Sequence, residues 1–274
     1  MSVARRITLA LGPPPVRRVF VPGPDMGPDL RGSFCAVQLM DDSTGLAYVM
    51  LGDTRERLQT SDPEWAPGDG ALVLAEQLTG DDPAARSLAL AAVNALSRHL
   101  LDRARFEPDF ATSSLGSLDL GPDDRLGMVG FFPPLVRRAR DQNIPLTVLE
   151  LKSELVQEAP GFSVTLDPAR LGECTKIVCT STTLLNDSLQ AVLAYASGCR
   201  EFVLIGPSAG CIPDPLFARG VTAVGGAWVT DPGALMDRLG RGERWGDACR
   251  KFSVRAGDAW PGLEELLERA RARG

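Results

Sequence analysis

The sequence lacks any apolar run long enough to cross a membrane. The apolar stretch near the amino end, from Ile7 to Leu11, stops at Gly12-Pro13-Pro14-Pro15, and this length is too short for an export signal. The six cysteines are scattered without the spacing of a small secreted protein, which favours reduced thiols. We therefore expect a cytoplasmic protein with no membrane partner.

An excess of positive charge is also missing. The chain has 29 Lys and Arg against 35 Asp and Glu, a formal net charge of -6, and the pairs Arg17-Arg18 and Arg137-Arg138 are too short to form a basic face. A protein that binds nucleic acid needs such a face to displace counterions. The composition therefore argues against a nucleic-acid partner.

Residue types that bind metals are few and separated. His99 is the single histidine, and neither a CxxC nor an HExxH motif is present. His99 falls in a predicted helix, where a lone histidine is more often a surface or packed residue than a ligand. Cys211 is the one thiol we expect near the binding site described below; a soft-metal contact there competes with the favoured interpretation of a small loop residue. We predict no metal site made of protein side chains, and the sequence identifies no cofactor.

The sequence has 274 residues, of which 44% are hydrophobic. This length and composition are enough for the cores of about two domains. Strands are predicted at 16–21, 33–40 and 46–51, with turn residues between the last two. A long helix follows, opened by Asp82 as N-cap and Pro83 as first helical residue. Residues 1–110 are thus predicted to form a small α+β domain.

The segment from 106 to 122 loses periodicity and is rich in Ser, Gly, Pro and Asp, which is typical of a connection between domains. After it, apolar strands at 125–130, 146–151, 176–180, 201–205 and 222–229 alternate with helices. This alternation predicts a parallel sheet with helices on both faces. We expect an α/β, Rossmann-like domain over residues 120–274, with the last helix packed as a cap.

Polar residues follow several of these strands. In an open parallel sheet, ligands bind beyond the carboxyl ends of the strands, where loop amides and helix N-termini converge. Four segments meet this condition, and we expect them to line one crevice: 130–133, Glu150, 180–186 and 206–208.

The turn after the first of these strands reads LGMVGFFPPL and differs from a dinucleotide-binding turn. Val129 and Phe132 stand at the second and third glycine positions of the G-x-G-x-x-G pattern, so a close pyrophosphate cradle is disfavoured. Glu150, twenty residues after Gly130, nevertheless stands where a dinucleotide-binding domain places its ribose-binding carboxylate. The alternative is a surface carboxylate. If the protein is an enzyme, Glu150 is the best candidate for a general acid or base.

The run Thr180 to Asn186 offers hydroxyls and an amide that can bind a phosphate, a carboxylate or a sugar, and helix capping is the alternative. Asn94, on a largely apolar helix face, either satisfies a core hydrogen bond or points into a cleft. GPSAG at 206–210 matches the G-x-S-x-G elbow of serine hydrolases, but no helix follows Ser208 directly and His99 precedes it. Ser208 is better interpreted as a ligand-facing or turn hydroxyl.

Several motifs in the second half occur in an order that resembles a known family: GMVGFFPPLV, LTVLE, CTSTTLLNDSL, FVLIGPS and LFARGVTAVGGAWVTDPGAL. They are similar to a heavy-metal chelation family, first defined as a domain of unknown function, and FCAVQL, GLAYVML and SLALAAVNAL resemble its preceding small domain. The resemblance implies an enolase N-terminal-like domain before a Rossmann-like domain, with an active site between them. It implies that this site contains Asn94, Gly130, Phe131, Pro133, Glu150, Thr180, Thr182, Asn186, Gly206, Pro207 and Ser208.

This chain departs from the family pattern at two positions beside the implied site. Ala209-Gly210 follows Ser208 where relatives carry Thr-Pro, and Leu151 follows Glu150 where a basic residue is common. Three functions remain open: binding or modification of a small metal-chelating molecule, an enzyme that uses S-adenosylmethionine or a nucleotide, and a non-catalytic sensor or metal-delivery protein. A homodimer also remains open.

Overall fold

The computed structural model describes residues 1–24, 26, 33–60, 70–110, 118–257 and 260–273. Within these residues the chain forms a three-stranded sheet followed by an eight-stranded sheet. None of the helices in the described part is long and apolar enough to cross a membrane.

The first half begins with a helix, continues with three antiparallel strands and ends with further helices. Strand β2 (Phe34–Leu39) is buried along its whole length and lies between its two neighbours. Helix α4 (Pro83–Arg103) begins at the Asp82 cap, whose carboxylate accepts a hydrogen bond from the Ala84 amide. It packs across β2 and β3 (Thr44–Tyr48). The elements are α1 (Val3–Leu11), β1 (Val16–Phe20), β2 (Phe34–Leu39), β3 (Thr44–Tyr48), α2 (Thr54–Thr60), α3 (Ala71–Ala75) and α4 (Pro83–Arg103). The likeness of this half to an enolase N-terminal domain stays a prediction.

The second half is a mostly parallel sheet covered by helices, as the alternation of strands and helices predicts. Its elements are β4 (Leu126–Val129), α5 (Pro133–Asp141), β5 (Leu146–Leu149), β6 (Gln157–Ala159), β7 (Phe162–Thr165), β8 (Lys176–Thr180), α6 (Leu189–Tyr195), β9 (Glu201–Ile205), α7 (Asp214–Phe217), β10 (Ala223–Val229), α8 (Pro232–Gly240), β11 (Cys249–Arg255) and α9 (Leu263–Arg271). The strand order is β11-β10-β9-β8-β4-β5-β7-β6, and only β6 and β11, at the two edges, pair antiparallel.

This order contains one reversal of direction. The chain proceeds from β4 through β5 to β7 on one side, then returns to the other side of β4 and continues through β8, β9 and β10. The reversal lies between β4 and β8, and a parallel sheet binds its ligands at the carboxyl ends of the strands beside such a point. The fold therefore makes the segments that follow β4 and β8 the candidates for ligand binding.

The predicted capping helix is α9, and it packs against α1 and α4 of the first half. Its buried residues Leu263, Leu266, Leu267 and Ala270 join a core that also contains Leu96 and Leu100 of α4. The two halves are thus connected through a shared core as well as through the chain. The domain limits 1–110 and 120–274 stay a prediction.

Candidate functional site

Four residues lie side by side at the carboxyl ends of β8, β4, β5 and β7. The ladder pairs Cys179 with Val129, Val129 with Leu149, and Leu149 with Thr165. It continues by one step, because the Gly130 amide donates to Leu149 O and the Glu150 amide to Thr165 O, each at 3.0 Å. With strands about 4.8 Å apart, the four residues span roughly 14 Å. We call Thr180, Gly130, Glu150 and Leu166 the edge row.

Gly130 fits the centre of this row because it has no side chain. Its φ is +82°, and a Cβ at this position would lie 3.1 Å from Thr180 Cγ2. The following residues point outward: Phe131 is 42% exposed and Pro133 is exposed. The turn therefore holds β4 and β8 close together and presents an aromatic ring beside the row.

The first turn of α5 offers no free amide hydrogen to a ligand. Pro133 and Pro134 have none. The amides of Leu135 and Val136 donate to Phe132 O at 2.9 and 3.1 Å. A phosphate is bound at a helix N-terminus through such free amides. This helix start is thus poorly suited to a phosphate.

Glu150 is the carboxylate of the row and is half-buried. One oxygen, Oε2, accepts the Leu151 amide at 3.0 Å. In the described part of the chain the other oxygen has no hydrogen-bond partner. Leu151 is 82% exposed and Leu166 is 48% exposed. A carboxylate oxygen without a partner in the described residues thus has two exposed apolar side chains as neighbours, one next in the chain and one on the adjacent strand end.

The Thr-rich segment begins with Thr180 as the cap of a short 3-10 helix, Ser181–Leu184. Thr180 Oγ1 accepts the Thr182 amide at 3.3 Å and lies 3.1 Å from Thr182 Oγ1. Asn186 is exposed, and its Oδ1 accepts hydrogen bonds from the amide and hydroxyl of Ser188. Capping, one of the two interpretations of this segment, is therefore present. Ligand binding by these hydroxyls stays a prediction.

Helix α4 covers the carboxyl ends of the strands on one side of the reversal. Arg86 donates to Leu185 O at 2.9 Å, beyond β8. Arg98 donates to Val229 O at 2.7 Å, at the end of β10, and lies over the Trp228 ring. These two arginine contacts cannot be predicted from the sequence pattern, since they join residues far apart in the chain. The ends of β4, β5 and β7 lie on the other side of the reversal and keep exposed side chains.

Asn94 and Ser208 join α4 to the turn that follows β9. Asn94 Nδ2 donates to Ser208 O at 2.9 Å and to Leu46 O at 2.8 Å. Ser208 Oγ accepts the Tyr48 amide at 2.9 Å. Both side chains are buried, and Asn94 Oδ1 has no hydrogen-bond partner among the residues that the structure describes. Asn94 and Pro207 line a cavity of about 20 Å³. These contacts hold the two halves together, and a ligand role for Asn94, Pro207 and Ser208 stays a prediction.

Gly206, in the turn that follows β9, allows this turn to lie close to the Thr-rich segment. Its φ is +140°, and a Cβ there would overlap Ser181 Oγ. Gly206 therefore lies against the short 3-10 helix.

Of the predicted site residues, the structure brings Gly130, Glu150 and Thr180 into one row, with Phe131, Pro133 and Thr182 beside it. It places Asn94, Pro207 and Ser208 at the junction of the halves.

A larger cavity than the one beside Asn94 lies elsewhere. It measures about 600 Å³ and lies between Arg17, Arg18, Gln38 and Asp42 on one side and Asp231 to Gly233 on the other. It contains none of the predicted site residues, and Arg17 is already paired with Asp42 at 2.7 Å. We therefore place the candidate site by its chemistry at the edge row rather than by volume.

Side chains that could hold a metal are separated in the described ranges, where no group of three or more His, Cys, Asp or Glu is suitably arranged. His99 is buried and hydrogen-bonds Asp41 through Nδ1. Burial raises the pKa of Cys211 to about 11, which disfavours the thiolate that a soft metal requires.

Two family models match this chain, and both are described as "Putative heavy-metal chelation". One, DUF364, matches residues 114–256, and the other, DUF4213, matches residues 32–97. The first contains the edge row and the second contains Asn94. A curated protein of Methanocaldococcus jannaschii, itself uncharacterised, is 28% identical over 149 residues, which are 53% of this chain and 55% of that protein. The match thus spans about half the length of this curated relative.

Two crystal structures share the fold over nearly the whole chain, and both are of proteins with unknown function from the DUF364 family. The protein from Pyrococcus horikoshii is 17% identical, with a TM-score of 0.66 over 93% of this chain and 98% of that one. The protein from Desulfitobacterium hafniense is 18% identical, with a TM-score of 0.66 over 92% of this chain and 96% of that one. At these identities the likeness shows the fold alone.

Proposed function

The chain belongs to the family described as "Putative heavy-metal chelation", and from this premise we propose that it binds a small metal-chelating organic molecule at the edge row. In this proposal the metal is held by the bound molecule, since the described residues contain no cluster of three or more ligating side chains. The observation that carries the proposal is the edge row itself. It combines a carboxylate, a hydroxyl and a glycine beside the point where the strand order reverses.

Each residue has a part in this binding. Glu150 accepts hydrogen bonds through its free oxygen, Thr180 and Thr182 supply hydroxyls, and Phe131 provides an apolar wall. If the bound molecule is modified, Glu150 is the acid or base, because it is the carboxylate within the row. We propose that the active site lies next to the first half, because Thr182 belongs to the segment whose Leu185 O accepts a hydrogen bond from Arg86.

Thermal unfolding with matched ligands tests the proposal. Nickel citrate and ferric citrate should raise the unfolding midpoint of the wild-type protein more than the free metals or citrate do, because a ligand that binds only the folded state stabilises it. The shift should be lost in Glu150→Ala and reduced in Thr182→Val. It should be retained in Glu268→Gln, which changes an exposed glutamate on α9. A shift that free nickel alone produces in full would argue for direct chelation by the protein and against the proposal.

A second candidate is an enzyme that uses S-adenosylmethionine or a nucleotide. The observation that favours it is the strand order, in which Glu150 ends the strand next to β4 on the side where a dinucleotide-binding domain grips the ribose. Turnover of a chelating molecule with S-adenosylmethionine would support this candidate. Binding without turnover would favour a sensor or a delivery protein.

The proposed setting is the cytoplasm, and the six free cysteines fit a reducing compartment. A homodimer also stays a proposal, which the mass of the protein in solution would test.

A further inference from the structure

Exposed apolar side chains concentrate at one part of the sheet edge. Phe131, Leu151 and Leu166 follow the carboxyl ends of β4, β5 and β7, and they are 42%, 82% and 48% exposed. Leu151 and Leu166 flank Glu150, whose second carboxylate oxygen has no partner in the described part of the chain. Apolar groups collected around a polar one on a protein surface are typical of a binding site.

We propose that this part of the edge row binds a nucleoside whose 5′ substituent carries no phosphate, with the ribose on Glu150 and the base against Leu151 and Leu166. The inference rests on the proposed ligand site at the edge row and names the ligand class for the second candidate function, an enzyme that uses S-adenosylmethionine or a nucleotide. S-adenosylmethionine and its thioether product belong to this class.

The order of residues along the row sets the orientation of the nucleoside. Leu166, Glu150, Gly130 and Thr180 follow one another on neighbouring strands, about 4.8 Å apart. A ribose with its two hydroxyls on Glu150 has its base on the side of Leu166 and its 5′ carbon on the side of Gly130. Gly130 has no side chain, so the 5′ substituent can pass over it toward Thr180.

The start of α5 decides what this substituent can be. In dinucleotide-binding domains the pyrophosphate lies on free amides at the start of the helix that follows the first strand. Here Pro133 and Pro134 have no amide hydrogen, and the amides of Leu135 and Val136 are bonded to Phe132 O. A phosphate would give up its water here without gaining these hydrogen bonds. A thioether or sulfonium chain has no such requirement.

Leu151 and Leu166 supply the contact for the base. They come from adjacent strand ends, because the Glu150 amide bonds Thr165 O and places Leu166 beside Glu150. A purine ring that covers both leucines removes apolar surface from water on both partners. This contact explains why apolar residues stand at exposed positions next to a carboxylate.

Calorimetric titration of the full chain with four probes tests the proposal. Adenosine and S-adenosylhomocysteine should bind, and ADP and NAD should bind no tighter than adenosine. Glu150→Ala should weaken binding of S-adenosylhomocysteine by about tenfold or more, because hydrogen bonds to a charged acceptor are lost. Leu151→Ser and Leu166→Ser should each weaken it by roughly three- to tenfold. Val73→Ser is the matched control, since Val73 is a 48% exposed apolar residue on α3 and should have no effect.

Several results would overturn the proposal. These are absence of nucleoside binding, an unchanged affinity in Glu150→Ala, or ADP binding at least tenfold tighter than adenosine. A change from dimer to monomer in Leu151→Ser, with nucleoside affinity unchanged, would assign the leucines to a protein interface instead. If nickel citrate binds in a Glu150-dependent way and nucleosides do not bind, the proposed function stands and only this inference fails. If no probe depends on Glu150, both fail.

Discussion

Asp124 is a single buried residue on which charges from several strands converge. Its carboxylate pairs with Lys176 at 3.2 Å and with Arg200, and Lys176 also pairs with Glu201 at 3.1 Å. Burial alone would raise the pKa of Asp124. Hydrogen bonds from the Gly121 amide, the Thr175 hydroxyl and Lys176 outweigh it, and the pKa falls to about 2 from an ordinary 3.8.

This lowered pKa predicts an acid-sensitive contribution to stability. The unfolded chain binds the proton more readily than the folded protein, so the stabilisation is complete above about pH 4 and is lost as the pH falls toward 2. Asp124→Asn should lower the free energy of unfolding by about 2 kcal/mol at pH 7, because Lys176 loses a partner. Urea unfolding at pH 7 and at pH 3 should show the difference from wild type shrinking at the lower pH. The exposed neighbour provides the control: Asp123→Asn should change stability by less than about 0.5 kcal/mol at either pH. An equal loss at both pH values would contradict this account.

Single residues of the site differ in how far the sequence predicts them. Gly130, Glu150 and Thr180 end neighbouring parallel strands, so a pattern of strands and polar ends suffices to bring them together. Leu151 was recognisable only as a departure from a family pattern, because its exposure depends on the packing around it. Whether the Asn94 amide meets a ligand or a carbonyl depends on a turn more than a hundred residues away, which periodicity does not reveal.

Among the helices and strands, α4 has the largest role in joining the two halves. Substitutions of Asn94 test this role. Its amide donates to carbonyl oxygens from both halves, Leu46 O and Ser208 O. Asn94→Ala should lower the free energy of unfolding by about 2 kcal/mol, because two buried acceptors lose their donor. Asn94→Asp should cost more than the alanine variant, since a carboxylate would face those two oxygens in a buried place. Chemical denaturation of the three proteins at pH 7 measures the order, and an aspartate variant as stable as wild type would contradict it.

Helices and strands were predicted best from the sequence where they are long or buried. Strands β8 and β9 have the predicted limits, and α4 begins at its predicted cap. Strand β6 was missed because all three of its residues are exposed and carry no alternation. Strand β11 was missed because charged residues interrupt it, and β7 because four residues after a turn carry little pattern. Helix α1 was missed because its apolar residues were interpreted only as too short for a signal.

At the scale of the whole molecule, the carboxyl edge of the sheet is divided in two. The first half of the chain covers the ends of β8, β9 and β10 through Arg86, Asn94 and Arg98. The ends of β4, β5 and β7 keep exposed apolar side chains around Glu150. The sequence predicts a parallel sheet but not this division, because strand order and the position of the first half depend on contacts between distant segments.

Hydrogen exchange of the whole protein tests the central claim, that ligands bind at the edge row, most directly. Exchange would be followed by mass spectrometry without ligand, with S-adenosylhomocysteine, and with ferric citrate. The account predicts that at least one of the two probes slows exchange in segments 130–135, 150–152, 166–167 and 180–186. Protection confined to other segments, such as those around Arg17 and Asp231, or no protection with either probe, would contradict it.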